Sequence, residues 1–365
     1  MSGYILILVW IGIIAFVTRV FDVEHIELVC GEKVKRYSWF FTFVIFLPLI
    51  WMAGHRGYFA DTSMYIKIYK TMPTNITDLP SYIANQSKDI GFAVISFLIK
   101  LIIGNDYLIY LMILATFQGI SIVTLFRKYS TNYVLSLFLF VASTDYISWM
   151  YNGLRQFTAV SIILFATPFM LKRKYLYVAI FVLLASTMHQ SALLMLPFVV
   201  IAQGEIWNKK TVLFITGILS AVFFVGQFTN ILNDALSVTQ YVNVVGDYTS
   251  LEDDGTNPVR VVVYSVPAIL SFIDRRSLRK ENNPLINFCT NMSIITMGLY
   301  LLSMVTSGVY LGRLPIYSSL YGYILLPWEA ENMFSGSTRR FVYFGIAFCY
   351  IAFYYYQMHF TWGVL

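Results

Sequence analysis

The sequence is short of the residues with which soluble proteins meet water. Asp, Glu, Lys and Arg make up only 12% of its 365 residues, hydrophobic residues make up 58%, and the mean hydropathy is +0.68. Soluble domains run at roughly 45–50% apolar and about 25% charged, so a water-soluble globular class is excluded. Cysteine is equally scarce: Cys30, Cys289 and Cys349 lie far apart with no CxxC spacing, and two of them sit within apolar runs. That excludes a disulfide framework and a zinc site. No polar stretch is long enough for a second domain, no internal repeat of the transporter kind is visible, and no small-residue cleavage site follows the first apolar run. The net charge of +6 and pI near 9.0 do not imply nucleic acid. The basic residues fall in short clusters between apolar runs, as the positive-inside bias requires.

What is present is a series of apolar runs, many near the length of about 17–25 residues that crosses a hydrocarbon core. The reading is a single integral membrane domain over 1–365, an all-α polytopic bundle. Basic clusters mark cytoplasmic loops: Lys33/Lys35/Arg36, Arg127/Lys128, Lys172/Arg173/Lys174, Lys209/Lys210, Arg275/Arg276/Arg279/Lys280 and Arg339/Arg340. The first run, Tyr4 to Val20, has no basic residue before it and several after it, which places its N-terminus outside. Spans are expected at Tyr37–Ala53, Tyr107–Phe126, Tyr133–Trp149, Leu154–Leu171, Val212–Phe228, Val259–Ile273, Ile286–Ser307, Leu314–Trp328 and Phe341–Gln357. With Tyr175–Met188 and Ser191–Ala202 on either side of His189, the total is about twelve, both termini outside. Residues 54–106 form an outer segment whose Phe92–Ile103 helix is short for a span and suits a re-entrant or interfacial position. Residues 229–258, with Glu252-Asp253-Asp254, form an outer acidic loop long enough for a lid; no second ligand spacing there supports a metal.

Against this topology one asymmetry stands out. Apart from Arg19, which closes the first run on its inner side, the arginines outside the clusters, Arg56, Arg155, Arg260 and Arg313, all fall at outer ends of spans, where the charge bias predicts their absence. A membrane arginine costs on the order of 2.5–3.5 kcal/mol at a helix centre, and its planar fork matches phosphate oxygens. Snorkelling explains any one of them; four together suggest a pyrophosphate site. Arg155 in Asn152-Gly153-Leu154-Arg155-Gln156 opens a span, where a helix N-terminus adds to an anion site. Asp61 and Asp89 lie in the outer segment, free to pair with an arginine, hold a sugar hydroxyl, act as a base, or cap a short helix. His189, flanked by apolar arms, is the candidate base or an interhelical hydrogen-bonding group, and His55 competes for the same role. Gly312-Arg313 starts a span that carries Tyr317. The 27 Tyr and 7 Trp make an interfacial belt or, alternatively, sugar-stacking surfaces.

Arg56 with Asp61-Thr62 and Tyr65, then Asp89-Ile90-Gly91-Phe92, then Asn152-Gly153-Leu154-Arg155-Gln156, then His189 before Ser191-Ala192-Leu193, occur in an order that resembles the EpsG-type branch of Wzy polysaccharide polymerases. The likeness covers about the first 200 residues, with Gly312-Arg313 and Tyr317 a weaker match; the family often has Glu where Asp89 stands. It implies a GT-C-type glycosyltransferase acting on undecaprenyl-pyrophosphate-linked oligosaccharides of an O-antigen or exopolysaccharide at the outer face of the bacterial cytoplasmic membrane. No cofactor or nucleotide sugar is then needed, and a flippase and chain-length regulator are the expected pathway partners. Arg56 and Arg155, then Arg260 and Arg313, would bind pyrophosphate; His189, Asp61 and Asp89 would serve catalysis; Tyr65, Asn152, Gln156 and Tyr317 would contact substrate. A flippase of lipid-linked sugar and a polysaccharide-to-lipid ligase are the competing readings. A membrane acyltransferase is disfavoured, because it would want its histidine on the cytoplasmic side.

Overall fold

A computed structural model describes residues 2–21, 24–29, 32–59, 61–236 and 255–364. Cys30 and the acidic stretch 237–254 of the expected outer loop lie outside the described residues. The chain is helical almost throughout, as its composition demands: backbone polar groups in hydrocarbon must be satisfied within the segment itself. The helices are α1 (Ser2–Val20), α2 (Trp39–Gly54), α3 (Thr62–Thr71), α4 (Leu79–Ala84), α5 (Ile90–Ile103), α6 (Tyr107–Tyr129), α7 (Tyr133–Ala142), α8 (Leu154–Phe165), α9 (Thr167–Leu171) and α10 (Tyr175–Met188). They continue as α11 (Met195–Ala202), α12 (Lys209–Phe223), α13 (Val225–Leu236), α14 (Pro258–Ile273), α15 (Arg275–Glu281), α16 (Pro284–Met304), α17 (Ile316–Asn332) and α18 (Gly336–Tyr356).

Helix starts are written in Asn and Asp. The side chains of Asp106, Asn132, Asn208, Asn257 and Asn283 each accept a first-turn backbone N–H of α6, α7, α12, α14 and α16, the role for which these residues are preferred.

The first basic cluster is not an irregular loop. Glu24–Val29 (β1) and Glu32–Tyr37 (β2) form an antiparallel hairpin with Glu24 opposite Tyr37 and Val29 opposite Glu32. Lys33, Lys35, Arg36 and Tyr37 therefore lie on a strand.

Two compact units are present. The first comprises Met1–Phe169, Tyr175–Leu193 and Ala330–Leu365. Within it α2 and α6 pack antiparallel. A Cβ on Gly54 would come within 2.8 Å of the Met112 sulfur, and one on Gly119 within 2.6 Å of Ile50, so glycine permits the close approach at both places. At the far end Arg127 donates to the Tyr37 carbonyl at 2.9 Å and pairs with Glu27 at 2.7 Å. Arg36 donates to the Arg127 carbonyl. Tyr343, bonded to Glu331 at 2.9 Å and to Asn132, brings Arg339 close to the chain that follows Lys128. Three of the basic clusters thus share one end of this unit. The helix α8 is tied to α6 through Gln118, which donates to the Leu154 carbonyl and to Thr158 at 3.2 and 3.1 Å.

The second unit comprises Met170–Lys174 and Leu194–Glu329. Here α16 packs against α11, α12 and α14, and Asn291 donates to the Ala202 and Glu205 carbonyls at 3.0 Å. Its three basic clusters also converge: Arg279 donates to the Trp207 carbonyl at 3.2 Å, and Lys210 feels the charge of Arg173.

By length and composition α6, α16 and the C-terminal helix Gly336–Thr361 can each cross a bilayer. With each of two bent pairs counted as one span, α7 with a π-helix at Tyr146–Asn152 (69°) and α12 with α13 (106°), the number among the described residues is five. The runs expected as single spans at Tyr133–Trp149 and Val212–Phe228 are these broken pairs. Further apolar helices of 10–17 residues, α2, α5, α8, α10 and α14 among them, account for the remaining runs except Leu314–Trp328, whose helix α17 is in neither group. The all-α membrane architecture stands.

Candidate active site

Two carboxylates of the 54–106 segment, Asp61 and Asp89, stand at helix starts, and neither caps. Asp61 occupies the N-cap position of α3 and Asp89 that of α5, and neither side chain accepts from its own helix. Asp89 instead adopts a left-handed backbone, φ 55°, sparsely populated by non-glycine residues. Its carboxylate takes Arg155 Nη1 on Oδ2 at 2.7 Å and faces His189 Nδ1 at 3.3 Å from both oxygens. The Asp89 side chain is 2% exposed, against 27% for Arg155 and 22% for His189. An interior carboxylate thus orients two groups that still reach the surface.

Each element brings its residue for a local reason. Arg155 sits in the first turn of α8, behind Gly153, which supplies no capping side chain. His189 follows the last residue of α10, its N–H bonded to the Ala185 carbonyl at 3.0 Å. Gly91 lets α5 approach α10: a Cβ there would sit 2.2 Å from Thr187 Oγ1.

Asp61 takes the second motif. With the Asn152 amide nitrogen turned toward it, Asn152 donates to the Asp61 carboxylate at 2.9 Å. Tyr65, buried on α3, links the two arginines: Arg155 donates to its hydroxyl, and its charge interaction with Arg56 is also felt. Arg56 is 5% exposed. It donates through Nε to Thr62 at 3.0 Å and through Nη1 to the Ala53 carbonyl at 2.8 Å, and its guanidinium lies 5.2 Å from the centre of the Tyr151 ring. Nη2 has no partner among the described residues. Burial pushes its pKa down to about 10, against the attraction of Tyr151, Tyr110 and Tyr65. Gln156 is buried and donates to Ser191 at 3.3 Å, a packing contact. His55 stacks on Trp51 at 3.8 Å, outside the cluster around Asp89.

This group lies at the end of α2 and α6 away from the Arg36 and Arg127 clusters; the 16 residues of α2 make that separation about 24 Å. The second unit repeats the arrangement. Arg260 is in the first turn of α14, over the Tyr264 and Tyr300 rings at 5.4 and 5.7 Å, while Arg275 follows the other end of the helix. Arg313 belongs to a turn of 3₁₀ helix at Leu311–Arg313, where a Cβ on Gly312 would sit 2.6 Å from Thr256 beside the start of α14. Tyr317 is buried, 1% exposed. In both units the isolated arginines and the basic clusters occupy opposite ends.

Tyr151, Tyr110 and Thr62 escaped the sequence reading as members of the site. Tyr151 stands beside the Asn152 motif, but a π-helix carries it, and helical periodicity of 3.6 does not predict which way such a residue faces.

The fold and this cluster define a polytopic α-helical membrane protein with a charged, partly buried site at the end away from its basic clusters. The sequence model of the EpsG family matches residues 39–362, and the chain belongs to that family. No curated protein and no solved structure matches the chain.

Proposed function

We propose that the protein is a polysaccharide polymerase, a glycosyltransferase joining undecaprenyl-pyrophosphate-linked oligosaccharide repeats at the outer face of the bacterial cytoplasmic membrane. The observation that carries this reading is the convergence of Arg155, Asp89 and His189 from three helices at the end of the first unit away from that unit's basic clusters. Those clusters mark the cytoplasmic side by the positive-inside bias. Family membership supports a polymerase-like role in the same direction.

The chemistry follows from the geometry. Asp89, paired with Arg155, accepts from His189 Nδ1–H, which leaves the Nε2 lone pair to receive a proton. The acceptor sugar hydroxyl gives that proton to Nε2 as its oxygen bonds to the anomeric carbon of the donor chain. The bond from that carbon to pyrophosphate breaks, and the leaving group keeps the electron pair. Charge accumulates on the diphosphate as it departs, and the N–H groups of Arg155 not held by Asp89, with the nearby positive charge of Arg56, stabilise it. Asp61 and Asn152 orient the acceptor. Arg260 and Arg313 belong to the second unit, at its end away from its own basic clusters, and are candidate phosphate ligands of that unit alone. A flippase supplying repeats and a regulator of chain length complete the expected pathway.

The decisive experiment supplies purified protein with a lipid-linked repeat and no other enzyme. A ladder of products is expected from wild type and none from Arg155→Ala, while His189→Ala retains lipid-repeat binding without transfer. A wild-type ladder from Arg155→Ala removes the arginine mechanism. Failure of wild type to elongate, with transfer of polymer to a second lipid, indicates a ligase.

A further inference from the structure

Beside Arg56 the chain builds an aromatic face that the reaction above leaves unused. Phe59 and Trp362 are half-buried, their rings 5.9 Å apart and tilted by 50°. Phe59 also meets the Tyr151 ring edge-on at 6.3 Å. Among the described residues the surroundings are open: a Cβ on Gly57 or Gly363 would meet none of them within 4 Å, and Tyr58 is 70% exposed.

On Tyr151, which Phe59 meets, and on Arg56, which packs against the Tyr151 ring, lie two buried polar atoms with no partner among the described residues, the Tyr151 hydroxyl and Nη2 of Arg56. Buried hydrogen-bonding groups are nearly always satisfied, and each exception calls for a reason. The backbone is held in unusual conformations to make this arrangement. Thr144, a β-branched residue, has φ 59°, a conformation that persists only where the surroundings enforce it. The Trp362 indole N–H bonds its hydroxyl at 3.2 Å. The π-helix Tyr146–Asn152 begins two residues later, and a second π-helix, Gln357–Thr361, delivers Trp362 from the other side. Irregular helical turns of this kind concentrate at functional sites.

We propose that Phe59 and Trp362 form a carbohydrate-stacking subsite that seats the acceptor sugar, its hydroxyls directed to Tyr151 and Arg56. Aromatic faces receive the C–H face of a pyranose, and the polar atoms at the back select a polyol over an acyl chain, which would leave both unsatisfied. The assignment of this sugar as acceptor rests on the polymerase reading; the binding of sugar does not.

The test is calorimetric titration of the full-length protein in nanodiscs with lipid-free oligosaccharide repeat, released by mild acid from the carrier in the source cells. Farnesyl diphosphate serves as a second probe. Trp362→Ala and Phe59→Ala are expected to weaken oligosaccharide binding at least tenfold, and Trp362→Phe no more than about threefold. Farnesyl diphosphate affinity should be unchanged in all three. Phe59 bonds to nothing through its side chain, so its variant covers the case in which loss of the Trp362 anchor disturbs folding. Wild-type oligosaccharide affinity in both alanine variants overturns the subsite, as does selective loss of farnesyl diphosphate binding. Oligosaccharide binding that depends on Trp362 in a protein that makes no polymer would sustain the subsite and remove the polymerase reading.

Discussion

The Asp89 carboxylate holds the Arg155 guanidinium at 2.7 Å and is itself 2% exposed, so the pair is anchored at its acidic end and open at its basic end. Removing one partner from a buried pair leaves an uncompensated charge, at a cost of about 3–5 kcal/mol. Arg155→Ala, which strands the buried carboxylate, is therefore expected to lower thermal stability in detergent toward that range, and Asp89→Ala, which leaves the more accessible guanidinium, by less. Asp89→Ala/Arg155→Ala should cost less than the two single changes added, because residues in one ion pair couple by about 0.5–3 kcal/mol. Unfolding followed for the three variants measures this coupling; strict additivity would mean that the pair is not formed.

Gly91 controls the distance between the carboxylate and the imidazole. Its Cβ would sit 2.2 Å from Thr187 Oγ1 and 2.7 Å from Met188 Cε, so Gly91→Ala must push α5 away from α10 and take Asp89 from His189. Transfer is expected to fall by more than tenfold with lipid-repeat binding largely kept. Thr187→Gly in the same chain, which removes the obstructing atoms on that side, should restore part of the rate. Unaltered transfer by Gly91→Ala would show that the Asp89–His189 contact is not used.

The arginines of this cluster stood out in the sequence because isolated arginines at span ends away from the basic clusters contradict the charge bias, and the contradiction is visible without a structure. Their partners were harder to read. Capping is the ordinary fate of Asp61 and Asp89, and only the left-handed backbone of Asp89 turns its carboxylate inward. The π-helix at Tyr146–Asn152 shifts the face that Tyr151 presents, which an α-helical period conceals. The number of spans was legible only coarsely. Apolar composition marks a run as membranous, whereas the breaks at Thr144 and Phe224 arise from tertiary packing that composition does not encode. The β1–β2 hairpin was masked by its own lysines, which read as a loop anchor.

Arg56 is charged in a place that disfavours charge. Burial brings its pKa to about 10, below the ordinary value, so the folded state disfavours the protonated form relative to the unfolded chain. The sign follows: this penalty is fully present at pH values below about 10 and is relieved only as the pH rises through that value, so it stays constant across the neutral range. Replacing the group by an apolar chain of similar length removes the penalty at every working pH. Arg56→Met is expected to raise the melting temperature, by roughly 2–4 °C for each kcal/mol recovered, while lowering transfer at least tenfold, the trade expected of a residue kept for function. A variant that is less stable and fully active would assign Arg56 to structure alone.

The separation of the two kinds of arginine makes the topology testable without any assay of activity. Lys35 lies on the hairpin beside Arg36 and is exposed; Tyr58 lies beyond the other end of α2 and is 70% exposed. In a chain whose Cys30, Cys289 and Cys349 are replaced by serine, Tyr58→Cys should react in intact cells with a maleimide that cannot cross the membrane. Lys35→Cys should react only after permeabilisation. If both label from one side, α2 does not separate two aqueous faces and the site has no assigned side. If the pattern is reversed, the site faces the cytoplasm, and a transferase working on externally presented repeats is excluded by position alone, since its histidine and arginines would meet the wrong leaflet.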